Sequence, residues 1–267
     1  MAASNFTTCL KLVLGHEGGW SSHPKDPGGD TMMGVTQATY DSYRRSKGRP
    51  PRSVRYIADS EVKDIYRSRY WMKVKGDELP AGIDYSTFDA GVNSGPARGV
   101  KWLQKAVGAV QDGIAGPETI SKAKNSDHRK TIVSMCAARM GFLRGLSHWS
   151  AFGKGWSRRV AEVEASAVAM VLSQTLPAPG VQSEMEAEAK KANTAAKGQQ
   201  AGAATSGTSG GATATTVDWT SWDTVTPWIV GGCVLALVIL ALVLIHKSRV
   251  NKARARAYAA AAKEQAA

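Results

Sequence analysis

Cysteine is scarce in this chain of 267 residues, with only Cys9, Cys136 and Cys233 present. The last of these lies inside an apolar run, so no disulfide framework can be drawn, and Cys9 and Cys136 are expected as core thiols. Zinc-type spacing is missing too: His16, His23, His128 and His148 stand at no regular distance from a cysteine or a carboxylate. The chain also has no Gly-Lys-Ser/Thr loop to cradle phosphates, so neither a metal nor a nucleotide cofactor is expected. From Met1 to Cys9 there is no basic start and no long apolar stretch, which argues against a cleaved signal peptide. No alternating series typical of strands occurs in the first 176 residues, and no helix-turn-helix or other nucleic-acid module is recognisable.

Acidic residues are the minority. There are 22 against 34 basic ones, a net charge of +12, and before residue 177 the balance is 25 basic to 16 acidic. That charge fits an anionic polymer partner: nucleic acid, an anionic lipid surface or the bacterial wall. Without a nucleic-acid module, the first of these is set aside.

What is present is helical patterning. Phe6, Leu10, Val13 and Leu14 recur at helical spacing, as do apolar positions in Glu61–Tyr70, Ala97–Val107 and Thr131–Leu146. Gly and Pro gather at 18–19, 24–34, 50–51, 76–82 and 113–117 and mark the connections. The expected class is mainly α, with a short β-hairpin or loop near residues 20–35. After Ser173, Pro177, Pro179 and Gly180 open a Glu/Lys/Ala and then Gly/Ala/Thr/Ser stretch, which reads as a flexible linker over 177–217. Residues 228–245 carry no charge and would make roughly 27 Å of helix. They predict one transmembrane helix within 226–246, with Trp219, Trp222 and Trp228 as an interfacial belt. A basic tail, 247–267, follows, so the positive-inside rule predicts a single-pass protein of the bacterial inner membrane with a cytoplasmic C-terminus and a periplasmic domain.

The chemistry centres on Glu17. It lies four residues beyond Val13 on the apolar stripe of the first helix, and Gly18–Gly19 follows as a stop signal. A carboxyl group at the negative end of a helix on its buried face is disfavoured as an anion, which is what glycosidic-bond cleavage asks of its proton donor. A buried Glu paired with an arginine is the bland alternative from this residue alone. The loop that follows, Gly18 to Gly34, is long, and loops of that length are often functional.

His16-Glu17-Gly18-Gly19-Trp20, Asp26-Pro27-Gly28-Gly29-Asp30-Thr31 and Gly34-Val35-Thr36-Gln37 resemble the signature of the glycoside hydrolase 108 family of N-acetylmuramidases. Agreement continues through Tyr70-Trp71, Leu79-Pro80-Ala81-Gly82, Asp89, Val92 to Pro96, Trp102-Leu103-Gln104, Asp112 to Thr119 and Phe152 to Trp156. The resemblance implies a lysozyme-like helical fold over a catalytic region, 1–97, and a peptidoglycan-binding-like helical region, 98–176. It implies hydrolysis of the β-1,4 bond between N-acetylmuramic acid and N-acetylglucosamine, with Glu17 as catalytic acid. By analogy with phage-type lysozymes, Asp26 is the expected second carboxylate, Thr31 a holder of water and Asp30 a reserve. Trp20, Tyr70, Trp71, Asp89 and Asn93 are expected to contact substrate. Met32-Met33 departs from the family pattern of a polar residue followed by an aromatic one. Two functions remain open at this point: a membrane-anchored endolysin that cleaves peptidoglycan during host lysis, or a non-catalytic membrane-anchored wall-binding protein.

Overall fold

The computed structural model describes residues 5–22, 29–215 and 226–266, and their side chains except in 205–215 and 226–234. The chain forms two compact units, Met1–Trp149 and Ser150–Ala267.

In the first unit, α1 (Phe6–Glu17) buries Phe6, Leu10 and Val13 of the expected stripe together with Cys9, leaves Leu14 half-buried, and ends at Gly18 with φ 72°. A two-stranded antiparallel ribbon follows, β1 (Thr31–Met32) with β2 (Val35–Thr36), and Ser21 pairs with Thr31 on its outer side. The expected hairpin therefore lies at 31–36. Thr36 caps α2 (Gln37–Ser46) by accepting the Thr39 N–H, and a single 3₁₀ turn, Val54–Tyr56, leads to α3 (Asp59–Tyr66).

Buried charge ties α2 to α3. Glu61 accepts from Tyr40 Oη at 2.6 Å, from Arg44 and Arg49 at 2.9 Å each, and from the Ala58 N–H at 3.2 Å. Burial alone would raise the Glu61 carboxyl, but these donors outweigh it and hold the group below the usual value.

Helix α4 (Ile83–Ser94) is the core helix. Every residue from Ile83 to Gly91 is buried, which is why its sequence shows no one-sided apolar stripe. It packs against α1, α5 (Pro96–Val107) and α7 (His128–Arg144). Between these last two comes α6 (Pro117–Lys124), with Pro117 at its first position as expected. Buried Gln104 stitches the 112–119 segment together. Its amide donates to Asp112 Oδ1 at 2.7 Å, Ile114 O at 3.0 Å and Thr119 Oγ1 at 3.1 Å, and its oxygen accepts from Gly113 N at 2.9 Å. α4 and α5 pack closely across position 97.

Asp84 is 2% exposed at the start of α4, where it accepts from Asn5 Nδ2 at 3.0 Å and from its neighbour's N–H, Tyr85, at 2.6 Å. Burial pushes its carboxyl up from 3.8 to about 6, against the lowering effect of those donors. The folded chain therefore favours protonated Asp84. That contribution is complete below about pH 4 and is lost as pH rises through about 6, a penalty on the order of 3 kcal/mol. Thermal unfolding of Asp84→Asn beside the parent should show little difference at pH 4 and a more stable variant at pH 7.5. An equal difference at both pH values would refute this.

The second unit contains α8 (Trp149–Leu172), α9 (Ala178–Thr215) and α10 (Thr226–Glu264). Residues 178–215, expected as part of a flexible linker, are helical here. Alanine is the strongest helix former, and Val181, Met185, Ala192, Ala196 and Ala203 are buried, with α9 packed along α10.

The expected transmembrane span is corrected. Among the described residues no helix is long and apolar enough to cross a membrane, which also removes the single-pass placement with a periplasmic domain and a cytoplasmic C-terminus. The apolar run 228–245 belongs to α10, and the same helix continues without a break through Lys247, Arg249, Lys252, Arg254 and Arg256. Leu235, Val238, Ile239 and Leu242 of the run are exposed, and the side-chain bonds that hold the helix lie beyond it. Ser248 Oγ donates to Ala196 O at 2.9 Å, while Arg254 and Tyr258 both reach buried Glu164 of α8. The tryptophan belt at 219 and 222 lies outside the described residues.

Candidate active site

Glu17 is the last residue of α1, and its half-buried side chain continues the buried face of that helix. The hairpin closes over it. Met33 and Gly34 form the two-residue turn between β1 and β2, with φ 50° and 73°, the left-handed pair that a tight hairpin of matching twist requires. Gly34 touches the carboxylate: a β-carbon there would stand 2.9 Å from Glu17 Oε2 and 2.5 Å from Tyr66 Oη. Tyr66 also pins the turn, donating its hydroxyl hydrogen to the Met33 carbonyl at 2.9 Å.

A π-helical turn, Arg67–Trp71, follows α3. Such turns insert one residue and re-aim the side chains after it. Tyr70 lies tilted against Tyr66 with ring centroids 5.5 Å apart. Burial raises its hydroxyl above the usual tyrosine value, Arg69 opposes the rise and the Glu17 carboxylate adds to it. Trp71 turns into the core. It is 0% exposed, lies 5.4 Å from Phe6 and 5.3 Å from Phe88 by ring centroids, and donates from Nε1 to Asp77 Oδ1 at 2.9 Å.

The other expected residues are distributed unevenly. Asp26 lies outside the described residues, as does His23. Asp30 is half-buried and knits the loop, its carboxylate accepting from Ser22 Oγ at 2.7 Å and its carbonyl from Gln37 N at 2.8 Å. Thr31 donates from Oγ1 to Gly29 O at 3.2 Å and exchanges both backbone bonds with Ser21 at 2.9 Å. Trp20 is 38% exposed, three residues beyond Glu17. Asp89 is 0% exposed and paired with Arg139 at 2.6 Å, and the same guanidinium reaches Asn93 Oδ1 at 3.1 Å. Asp89 therefore sits inside the helical core, joined through one arginine to half-buried Asn93.

The structure thus sets Gly34, Met33 and Tyr66, which the sequence did not single out as site residues, beside Glu17, whose charge also reaches the Tyr70 hydroxyl. A two-residue turn before Val35-Thr36 was the available signal for Gly34. For Tyr66 there was none, because its role depends on the hairpin folding back over α3. Chemically, the cluster sets a carboxyl group at the edge of an aromatic wall beneath a close backbone, an arrangement suited to proton transfer on a ring-shaped substrate. Among the described residues no group of His, Cys, Asp and Glu could hold a metal ion.

Residues 10–95 match the family model described as glycosyl hydrolase 108. The match contains Glu17, the hairpin and α4, and it stops short of the region 98–176 that was expected to bind peptidoglycan. A solved structure, that of Brucella abortus SagA, is similar to the chain at 44% identity, covering 62% of this chain and 95% of that one with a TM-score of 0.55. Among curated proteins no match was found.

Proposed function

The chain belongs to the glycosyl hydrolase 108 family, and from that premise we propose that it is an N-acetylmuramidase that uses Glu17 as its proton donor. Peptidoglycan is the substrate that membership implies. The bond proposed to break is the β-1,4 link from N-acetylmuramic acid to N-acetylglucosamine, in the setting of wall degradation by a phage-type lysis enzyme.

The observation that carries this reading is the seat of Glu17, half-buried at a helix end under the Gly34 turn that Tyr66 pins. Glu17 gives its proton to the glycosidic oxygen as the C–O bond breaks, and the positive charge that develops on the sugar ring calls for a second carboxylate. Asp26 is proposed for that role, with Thr31 as a holder of water and Asp30 in reserve. Trp20 and Tyr70 offer ring faces for sugar stacking.

The test is fragment release from purified peptidoglycan by the full chain, beside Glu17→Gln, with mass spectrometry of the products. Muropeptides ending in reducing N-acetylmuramic acid are expected from the parent, at a rate about a thousandfold above the variant. Equal release by both proteins would remove Glu17 from the mechanism. Binding without release from either would leave a wall-attachment protein.

A further inference from the structure

We propose that Arg55, held over the Trp20 ring, reads a carboxylate of the peptide stem that peptidoglycan carries on its muramic acid residues, an inference that rests on the substrate reading above. Between Asp41 and Asp59 the chain has Arg44, Arg45, Lys47, Arg49, Arg52 and Arg55 and no acid. Three of these cations are spoken for within the fold: Arg44 and Arg49 meet Glu61 at 2.9 Å, and Lys47 meets Asp64 at 2.8 Å. Arg45, Arg52 and Arg55 are exposed and pair with no carboxylate among the described residues.

Arg55 differs from the other two in being held. Its guanidinium carbon stands 5.5 Å from the centroid of the Trp20 ring, and Tyr56 beside it is 60% exposed. The 3₁₀ turn that carries Arg55 is pinned from both sides of Gln37, which donates to Arg52 O at 2.9 Å and accepts from Val54 N at 2.7 Å. Gln37 in turn bonds the hairpin through Asp30 O at 2.8 Å, and Val54 is fully buried. One hydrogen-bonded connection therefore joins the turn that carries Arg55 to the start of the hairpin whose turn rests on Glu17.

The chemistry selects the ligand. A guanidinium carbon held 5.5 Å over the Trp20 ring leaves N–H groups for a further partner, and the guanidinium fork fits a carboxylate in a bidentate pair. The glycan itself is uncharged where its sugars are N-acetylated and its lactyl groups are amide-linked to peptide. The free carboxylates of purified peptidoglycan are on the stems. Arg55 thus gives the site a preference for strands that bear peptides over bare or amidated ones.

The experiment measures co-sedimentation of the full chain, in a Glu17→Gln background, with insoluble peptidoglycan whose stem carboxylates are native or have been amidated chemically. On native material Arg55→Gln should weaken Kd about tenfold, Arg55→Lys should recover little of the loss, and Arg45→Gln should change it less than twofold. On amidated material Arg55→Gln and its parent should bind alike. The proposal is overturned if Arg55→Gln binds native material as its parent does, if it loses as much on amidated material, or if Arg45→Gln matches it. Because this readout needs no turnover, an absence of muropeptide release would sink the glycosidase reading while leaving the role of Arg55 to be decided here.

Discussion

Gly34→Ala is expected to lower turnover on peptidoglycan by a hundredfold or more while leaving most of the protein folded. Two penalties meet at this position. The backbone has φ 73°, and an L-side chain in the left-handed region costs about 1 kcal/mol. The added methyl would also stand 2.5 Å from Tyr66 Oη and 2.9 Å from Glu17 Oε2, so either the turn lifts or the carboxylate moves. A displacement of about 1 Å at a reacting group is enough for a roughly hundredfold loss. Gly48→Ala separates the two effects: its φ is 63° and nothing lies within 4 Å of the new carbon, so it should lose about 1 kcal/mol of stability and keep the parent's kcat. Parallel measurement of kcat and Tm for the two variants decides the matter. If both lose stability alike and both keep kcat, the Gly34 turn does not position Glu17.

Asp89→Ala is expected to be the most destabilising single change of those considered, by about 3–5 kcal/mol. Its partner Arg139 is 2% exposed and its Nε already has no hydrogen-bond partner among the described residues. Removing the carboxylate would leave a buried guanidinium without its counter-charge, and the cost of an uncompensated buried ion exceeds anything lost from packing. In a unit of this size the change corresponds to a fall in Tm of roughly 10 °C or more. Replacing both members, as Asp89→Leu with Arg139→Met, should restore much of the loss, since a buried pair contributes little beyond an apolar pair of the same shape. A substrate-contact role predicts the reverse pattern: an unchanged Tm and a raised KM for Asp89→Ala. Differential scanning calorimetry with the peptidoglycan assay separates the two.

Asp89 lies in a stretch that matches the family pattern, and a matched acidic residue reads as functional when its partner, Arg139, is 50 positions away. Trp71, adjacent to Tyr70 in the motif, lies in the core against Phe6, a placement set by the π turn that carries both. The apolar run at 228–245 met every local criterion for a span, yet it is one part of a helix that continues into a basic stretch and packs along α9.

The sequence by itself determined the helical class, the stripe and stop of α1, the Pro117 helix start and the place of Glu17 at a helix end. Each of these depends on residues within a few positions of one another, where backbone preference and apolar period act directly. Tertiary structure alone decided that Gly34 and Tyr66 enclose the carboxylate, that Asp89 and Arg139 form a buried pair, and that Arg55 lies on Trp20. These contacts join residues from 17 to 50 positions apart, and no local pattern encodes such pairings because they arise only when packed helices bring distant segments into van der Waals range.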